Sequence, residues 1–335
     1  IWHSAMSIRF NALWKKNRAM VRLASAFEAG LPHPDGPVAA VHPSVGFDMV
    51  GLAHALIVQP FFPTNIAWQN QGFACDVVLP KRRLALAIVC CTRSKLETAD
   101  LIAQAAAHAD IIVVDGQKID GVDSHYKTLR KLVPIRGNIT KSHGRLFWFA
   151  GTDLPSLRAV NKSFDGFITK PGVFSAGVVD PASILLADVL PEHLAGDVAD
   201  LGAGWGYLSS RILSRDAVTK LDLIEADFFA LECAKKNVSD PRANFYWTDA
   251  ATWNGSYDAV VMNPPFHISR DGDPELGRSF ILAAKRCLKA KGSLWMVANR
   301  HLPYESALDQ CFSKVVELPG NGRFKLFHAS RPKRK

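Results

Sequence analysis

The stretch DVADLGAGWGYLSSRIL, residues 197–213, predicts a strand, a glycine-rich turn and a helix in direct succession. Glycines in such a turn let the backbone pass close to a ligand, and the N–H groups at the start of the helix then point toward it. The turn reads G-x-G-x-G from Gly202, and Tyr207 stands where a dinucleotide-binding fingerprint needs its third glycine. The stretch therefore favours a parallel α/β sheet with a nucleoside cofactor other than NAD.

Acidic residues follow the next two predicted strands. Glu225 lies at the end of KLDLIEAD (220–227), where a carboxylate can hold both hydroxyls of a ribose. Asp249 follows one strand later, in position to accept a hydrogen bond from an adenine amino group. Ligands of such sheets bind above the carboxyl ends of the strands. We therefore expect both carboxylates to lie near the glycine turn.

The stretch VVMNPPFHIS, residues 260–269, ends a further predicted strand with an amide and two prolines. Consecutive prolines fix their own φ and have no backbone N–H to donate. A residue before proline is pushed out of the helical region. The chain is therefore expected to hold Asn263 and Phe266 on a stiff, extended loop at the carboxyl edge of the sheet.

Strands and helices alternate from residue 84 onward. LALAIVCC (84–91) and DIIVVDG (110–116) predict buried strands on either side of the helix KLETADLIAQAAAHA (95–109). Near the carboxyl end, GRSFILAAKRCLKAKG (277–292) predicts a helix closed by Gly292. This alternation is typical of a parallel sheet with crossover helices.

The alternating pattern restarts after residue 166, which predicts two α/β domains, 1–166 and 167–335. The formal net charge is +9. Residues 1–170 hold 20 Lys and Arg against 12 Asp and Glu, a surplus of 8, whereas residues 171–330 hold 16 against 19. The first domain and the closing RPKRK are thus the candidates for binding an anionic partner such as RNA.

Composition argues against several other classes. The six cysteines form no CxxC pair and no metal-ligand spacing, so we expect no metal site. We also expect the protein to function in the reducing cytoplasm. No apolar run approaches 18 residues, so no membrane span is expected. The amino end lacks the apolar core of a secretory signal. Ile1 is not a natural start and Met6 could be one, so residues 1–5 are expected to be an upstream remnant.

In this order, DLGAGWG, Glu225, Asp249 and NPPF resemble class I S-adenosylmethionine-dependent methyltransferases that act on an exocyclic amino nitrogen. The resemblance implies S-adenosylmethionine as the cofactor. It assigns to the cofactor site the matching positions Phe174, Asp200, Gly202, Ala203, Gly204, Gly206, Glu225, Asp249, Ala250 and Asn263. For Phe174, packing in the core is an equal alternative.

Three further runs narrow the resemblance. KPGVFSAG (170–177), VANRHLPYE (297–305) and GRFKLF (322–327) are similar to runs of the bacterial ribosomal-RNA guanine-N2 methyltransferases of the RsmC and RlmG type. The resemblance implies two tandem Rossmann-like domains. The first is degenerate, and the second is a seven-stranded, mostly parallel sheet with helices on both faces. The implied partner is ribosomal RNA, with the 30S subunit favoured over the 50S.

This resemblance gives the NPPF stretch a chemical role. The side-chain oxygen of Asn263 and the carbonyl of Pro264 would accept hydrogen bonds from both N–H groups of the substrate amine, turning its lone pair toward the methyl group. Phe266 would give the base a face to stack on, a contact worth about 1–3 kcal/mol. The target base must be unpaired or leave its stack. His267 is expected to pack or to form a hydrogen bond, and no direct part in catalysis is implied for it.

Before residue 166 there is no G-x-G-x-G turn and no run like NPPF. The two most similar runs, HPSVGFD (42–48) and IVQPFFPTN (57–65), lack the required residues. The basic surplus suggests a platform for RNA, with a stabilising domain as the alternative. Its clusters are Lys15, Lys16, Arg18, Arg22, Lys81, Arg82 and Arg83. Near the pocket rim, Arg300, His301 and Lys325 either touch RNA or are ordinary surface residues.

Other interpretations stay open. The substrate NH₂ group could be an adenine N6 or a glutamine amide of a release factor, although those enzymes more often carry NPPY. A non-catalytic RNA-binding assembly factor is a second alternative, opposed by the complete set of site residues. A dehydrogenase is disfavoured by Tyr207. The modified nucleotide and the oligomeric state are not determined by the sequence.

Overall fold

The computed structural model describes residues 22–49, 51–265 and 274–334. The chain divides into two compact units, residues 1–160 and 161–335. The division falls shortly before the predicted boundary, because the hairpin just after residue 160 packs with the second unit. In the part of the chain that the structure describes, no helix has the length and apolarity to cross a membrane.

The first unit contains a seven-stranded sheet in the order β3-β2-β1-β4-β5-β7-β6. Its strands are β1 Val38–Val41, β2 Leu56–Val58, β3 Cys75–Asp76, β4 Leu84–Cys90, β5 Ala109–Gln117, β6 Ile135–Lys141 and β7 Gly144–Ala150. Its helices are α1 Arg22–Glu28, α2 Phe62–Gln69, α3 Lys95–Ala106 and α4 Val122–Leu129. All neighbours pair in parallel except β7, which is antiparallel to both β5 and β6.

The second unit repeats this arrangement strand for strand, in the order β12-β11-β10-β13-β14-β16-β15. Its strands are β8 Lys162–Phe164, β9 Phe167–Thr169, β10 Gly196–Leu201, β11 Val218–Glu225, β12 Ala243–Trp247, β13 Tyr257–Met262, β14 Leu288–Asn299, β15 Phe312–Leu318 and β16 Phe324–Pro332. Its helices are α5 Pro181–Val189, α6 Tyr207–Leu213, α7 Phe228–Asn237, α8 Pro274–Cys287 and α9 Glu305–Cys311. The hairpin β8–β9 stands apart from the main sheet. The predicted fold class, two tandem Rossmann-like α/β domains, is confirmed.

The second sheet is buried on both faces. Val260 and Met262 pack with Phe280 of α8 on one face, whereas Val261 packs with Leu186 of α5 on the other. Successive residues of a strand point to opposite faces, so a central strand covered on both sides is apolar at every position. This explains why VVM predicted a buried strand that ends directly before Asn263.

The predicted helix that Gly292 closes is wrong at its carboxyl end. Helix α8 ends at Cys287, and Leu288 already pairs with Tyr257 as the first residue of β14. The pairing register shifts between Tyr257 and Ala259, and a Cβ on Gly292 would come within 3.0 Å of the Tyr257 carbonyl oxygen. Gly292 is therefore a close-approach position inside a strand rather than a helix terminator.

Equivalent strand positions explain the two motif-like runs of the first unit. HPSVGFD follows β1, which holds the place of β10. IVQPFFPTN spans the end of β2, which holds the place of β11, so its Gln59 stands where Glu225 stands. The run that corresponds to NPPF is CCTR (90–93), at the end of β4, because Val89 pairs with β1 in the register in which Met262 lies beside β10. The first unit thus keeps the sheet but has different residues at the positions of Glu225 and Asn263.

Candidate active site at the carboxyl edge of the second sheet

The glycine turn between β10 and α6 has the backbone that its sequence predicts. Gly202, Gly204 and Gly206 have φ values of 79°, 56° and 92°, in the left-handed region that favours glycine. A Cβ on Gly206 would lie 2.9 Å from the Val238 side chain, so this glycine is needed for the turn to pack. At Gly204 a Cβ would meet nothing within 4 Å, because that position borders open space.

Glu225 joins the end of β11 to this turn. Its Oε2 accepts the Gly204 N–H at 2.7 Å, and its Oε1 accepts the Asp227 N–H at 2.7 Å. Burial raises the pKa of the Glu225 carboxyl to about 7. A carboxylate has about four acceptor positions, so two backbone donors leave capacity for ribose hydroxyls.

Asp200 lies beneath the turn. It is fully buried, and its Oδ2 accepts the Ser209 Oγ–H at 2.7 Å, which ties the end of β10 to α6. Burial raises the pKa of the Asp200 carboxyl to about 7. Asp200 therefore offers no surface to a ligand and supports the turn from below.

Asp249 and Ala250 follow β12, as expected from the order of the strands. The Oδ1 of Asp249 accepts the Ala251 N–H at 2.8 Å, and desolvation by burial raises the pKa of this carboxyl. Ala250 is 3% exposed. Phe174 is 58% exposed, and its carbonyl accepts the Trp205 Nε1–H at 3.0 Å. Its ring is thus outside the core.

A cleft with about 380 Å³ of open space lies beside the turn. It is lined by Phe174, Ser175, Asp180, Ser183, Gly202, Ala203, Gly204, Trp205, Tyr207, Leu208 and Asn263. Five predicted site residues therefore share one cleft. Gly206 and Asp200 support the turn behind it, and Glu225 is hydrogen-bonded to it. A glycine turn that borders open space, an acceptor carboxylate at the end of the next strand and the cleft between them fit a nucleoside cofactor.

Asn263 lies at the end of β13 with its amide held by helix α5. Its Nδ2 donates to the Asp180 Oδ2 at 2.9 Å and to the Ser183 Oγ at 2.9 Å. The amide oxygen therefore points away from α5. Pro264 is buried, while Phe266 and His267 lie outside the described residues.

Sequence reasoning missed Asp180 and Ser183. Their signal was present as a helix start: Asp180 is an N-cap residue, followed by proline at the first helical position. That pattern predicts where α5 begins. It says nothing about a partner on β13, 83 residues later in the chain.

Of the residues assigned to the pocket rim, Lys325 is buried, which contradicts its expected exposure, whereas Arg300 is exposed, as expected. Lys325 is 4% exposed and is paired with Glu305. Arg300 donates to the carbonyls of Asn321 and Phe324. His301 is exposed.

The basic platform expected on the first unit loses one member. Arg22 is fully buried, and its guanidinium makes two hydrogen bonds to Asp115, at 2.6 and 2.9 Å. Its membership in a surface cluster was wrong, because sequence proximity to other cations does not report burial. Lys81, Arg82 and Arg83 are exposed, and Arg83 is also paired with Asp110. Lys15, Lys16 and Arg18 lie outside the described residues.

The strand order, the glycine turn with its carboxylate partner and the amide at the end of β13 define a class I S-adenosylmethionine-dependent methyltransferase. Residues 165–328 match the methyltransferase small domain family. The chain belongs to the family of ribosomal RNA small subunit methyltransferase C, and the resemblance seen in the sequence is confirmed.

Individual relatives support this membership. The ribosomal RNA small subunit methyltransferase C of Enterobacter sp. (strain 638) is 30% identical over 279 residues, 78% of each chain. That of Haemophilus influenzae (strain PittGG) is 30% identical over 239 residues, 68% of this chain and 72% of the relative. Among solved structures, the T. thermophilus 16S rRNA N2 methyltransferase in complex with AdoMet and guanosine has a TM-score of 0.76 at 24% identity, covering 90% of this chain and 89% of that one. At that identity the likeness shows the fold.

Proposed function

We propose that this protein transfers the methyl group of S-adenosylmethionine to the exocyclic N2 amine of a guanine in 16S ribosomal RNA. The observation that carries the proposal is the orientation of the Asn263 amide, whose nitrogen is bound by Asp180 and Ser183. The amide then offers an acceptor oxygen to the cleft. The name of the family, which refers to small-subunit ribosomal RNA, supports RNA as the substrate. A cytoplasmic location agrees with that substrate.

The chemistry asks little of the protein beyond positioning. A guanine amine is a poor nucleophile because its lone pair is delocalised into the ring. The Asn263 oxygen and the Pro264 carbonyl accept hydrogen bonds from its two N–H groups. These hydrogen bonds favour a tetrahedral geometry at the nitrogen and direct its lone pair at the methyl group. When bound, S-adenosylmethionine supplies an electrophilic methyl group, and the glycine turn and Glu225 would hold it. With the reacting atoms about 3–3.5 Å apart, proximity contributes much of the rate enhancement.

The remaining parts of the proposal concern residues around this centre. Phe266 stacks on the target base. The methylated ammonium is acidic enough to lose its proton to water, so no strong general base is needed. The first predicted domain, residues 1–166, acts as a degenerate methyltransferase domain that holds RNA through phosphates. The exposed Lys81 and Arg82 support that role.

The test is methyl transfer from radiolabelled S-adenosylmethionine to 16S rRNA, 30S subunits and 50S subunits, followed by nucleoside digestion and chromatography. We expect label in N2-methylguanosine from 16S rRNA or the 30S particle. Label in N6-methyladenosine would be consistent with capture of an amine by Asn263 but would contradict guanine as the target base. Absence of label from every RNA, with cofactor binding intact, would overturn the RNA substrate.

A further inference from the structure

The first turn of α5 does two things at once. Asp180 caps this helix, because its Oδ2 accepts the Ser183 N–H at 3.0 Å. The same oxygen accepts a hydrogen bond from the Asn263 amide nitrogen at 2.9 Å, and the Ser183 Oγ lies 2.9 Å from that nitrogen. Ser183 is 8% exposed. The start of one helix therefore fixes a side chain at the end of a strand.

We infer that Asp180 and Ser183 are positioning residues that fix the Asn263 amide in one orientation, and thereby make the site select a substrate nitrogen that donates hydrogens. The inference rests on the proposed amine methylation. An amide has an acceptor end and a donor end. Whichever end faces α5, the other faces the cleft.

The carboxylate decides between the two orientations. An ionised aspartate accepts hydrogen bonds and donates none, whereas a serine hydroxyl can do either. Rotating the Asn263 amide by half a turn would place its oxygen against the Asp180 carboxylate, two acceptors facing each other. It would also aim the NH₂ group at the substrate amine, two donors facing each other. Asp180 therefore excludes the orientation that would suit a carbonyl substrate.

Asp180→Ser separates capping from positioning. Serine caps helices about as well as aspartate, but its side chain is one bond shorter and does not reach Asn263. We expect kcat to fall about tenfold to hundredfold, the range for loss of a charge-assisted hydrogen bond. The dissociation constant for S-adenosylmethionine should change by less than about twofold, since the glycine turn and Glu225 are untouched. Ser94→Ala is the matched control, because it removes the cap of α3 in the first unit and should leave kcat unchanged.

Exchange of the two side chains provides a rescue. Asn263→Asp alone places two carboxylates at hydrogen-bond distance, and activity should fall sharply. Adding Asp180→Asn restores a donor on one side and an acceptor on the other, while asparagine still caps α5. We expect the double variant to be at least about tenfold more active than Asn263→Asp. A purely capping role for Asp180 predicts no such recovery.

Three results would overturn the inference: full kcat in Asp180→Ser, no recovery in the exchange variant, or a cofactor affinity loss that accounts for the whole effect. A double-mutant cycle adds a fourth arm. In the Asn263→Ala background, Asp180→Ser should lower the rate by less than about twofold, because its target is gone; an undiminished loss would show that Asp180 acts independently. Failure of the proposed function is distinguishable, since the unaltered protein would then form no N2-methylguanosine.

Discussion

The carboxylate of Glu225 accepts the backbone N–H of Gly204 at 2.7 Å, so the end of β11 and the glycine turn after β10 are joined directly. Its other oxygen accepts the N–H of Asp227, at the start of α7. One side chain thus fixes the two loops that would flank a bound nucleoside. Because this carboxyl has a raised pKa, its protonation state has consequences for binding.

Cofactor affinity should rise with pH through the pKa of Glu225. Desolvation raises this pKa to about 7, above the usual value near 4.3, so the group is largely protonated at pH 6 and ionised at pH 8. The ionised form accepts hydrogen bonds from ribose hydroxyls at both oxygens. Calorimetry at pH 6 and pH 8 should show severalfold tighter binding at pH 8. In Glu225→Gln binding should be weaker and flat across this range; a pH dependence that survives the substitution would assign it to another group.

Asn263→Ala should abolish most methyl transfer and weaken cofactor binding far less. The substitution removes the acceptor for the substrate amine but leaves the glycine turn and Glu225 in place. We expect kcat to fall by about a hundredfold, the scale of a lost transition-state hydrogen-bond partner. Single-turnover rates and calorimetry, run side by side, provide the measurement. Normal turnover with normal binding would show that amine capture by this residue is not part of the mechanism.

Asp200→Asn should stabilise the protein at alkaline pH. Burial raises the pKa of Asp200 to about 7, against about 3.9 in an unfolded chain. Its protonated form favours the folded state, so this contribution is complete below about pH 4 and is lost as pH rises to about 7. At pH 8 the neutral asparagine should raise the free energy of unfolding by about 1–3 kcal/mol. Urea unfolding at pH 5 and pH 8 measures this, and an equal effect at both would rule out the titration.

Arg22→Met should destabilise the first unit without altering an RNA surface. Removal of the guanidinium leaves the Asp115 carboxylate buried and unpaired, which costs about 3–5 kcal/mol. Denaturant unfolding followed by a probe in the first unit gives the value. Adding Asp115→Leu should recover much of the loss, since an apolar pair of similar volume can replace a buried ion pair. The RNA affinity of the folded fraction should stay unchanged. A lower RNA affinity would indicate that Arg22 belongs to the RNA-binding surface after all.

Lys81→Gln with Arg82→Gln should weaken RNA binding and reduce its salt dependence. For each phosphate that the variant no longer neutralises, the slope of log affinity against log salt should become shallower by about 0.7–0.9. Filter binding of 16S rRNA between about 50 and 200 mM salt gives the slope. Lys235→Gln with Lys236→Gln removes the same charge from α7 and is the control. If both pairs act alike, net charge and not a platform explains the affinity.

Local patterns predicted the central strands well but missed the edge strands β6 and β15. β13 and β4 are covered on both faces, so their residues are almost uniformly apolar and stand out in the sequence. By contrast, β6 and β15 carry several exposed polar residues and have no apolar run. Each pairs with a single neighbour at a sheet edge, so its strand conformation depends on a partner that the local sequence does not show.

The sequence by itself determined the order of the site: the glycine turn, then Glu225, Asp249 and Asn263, each at the end of a strand. This was possible because strand burial leaves a periodic apolar signal, and parallel strands bring their carboxyl ends to one edge. Tertiary structure alone decided which way the Asn263 amide points and whether Arg22 is exposed. Their partners lie 83 and 93 residues away in the chain, and hydrogen bonds over such separations arise from packing that no local pattern encodes.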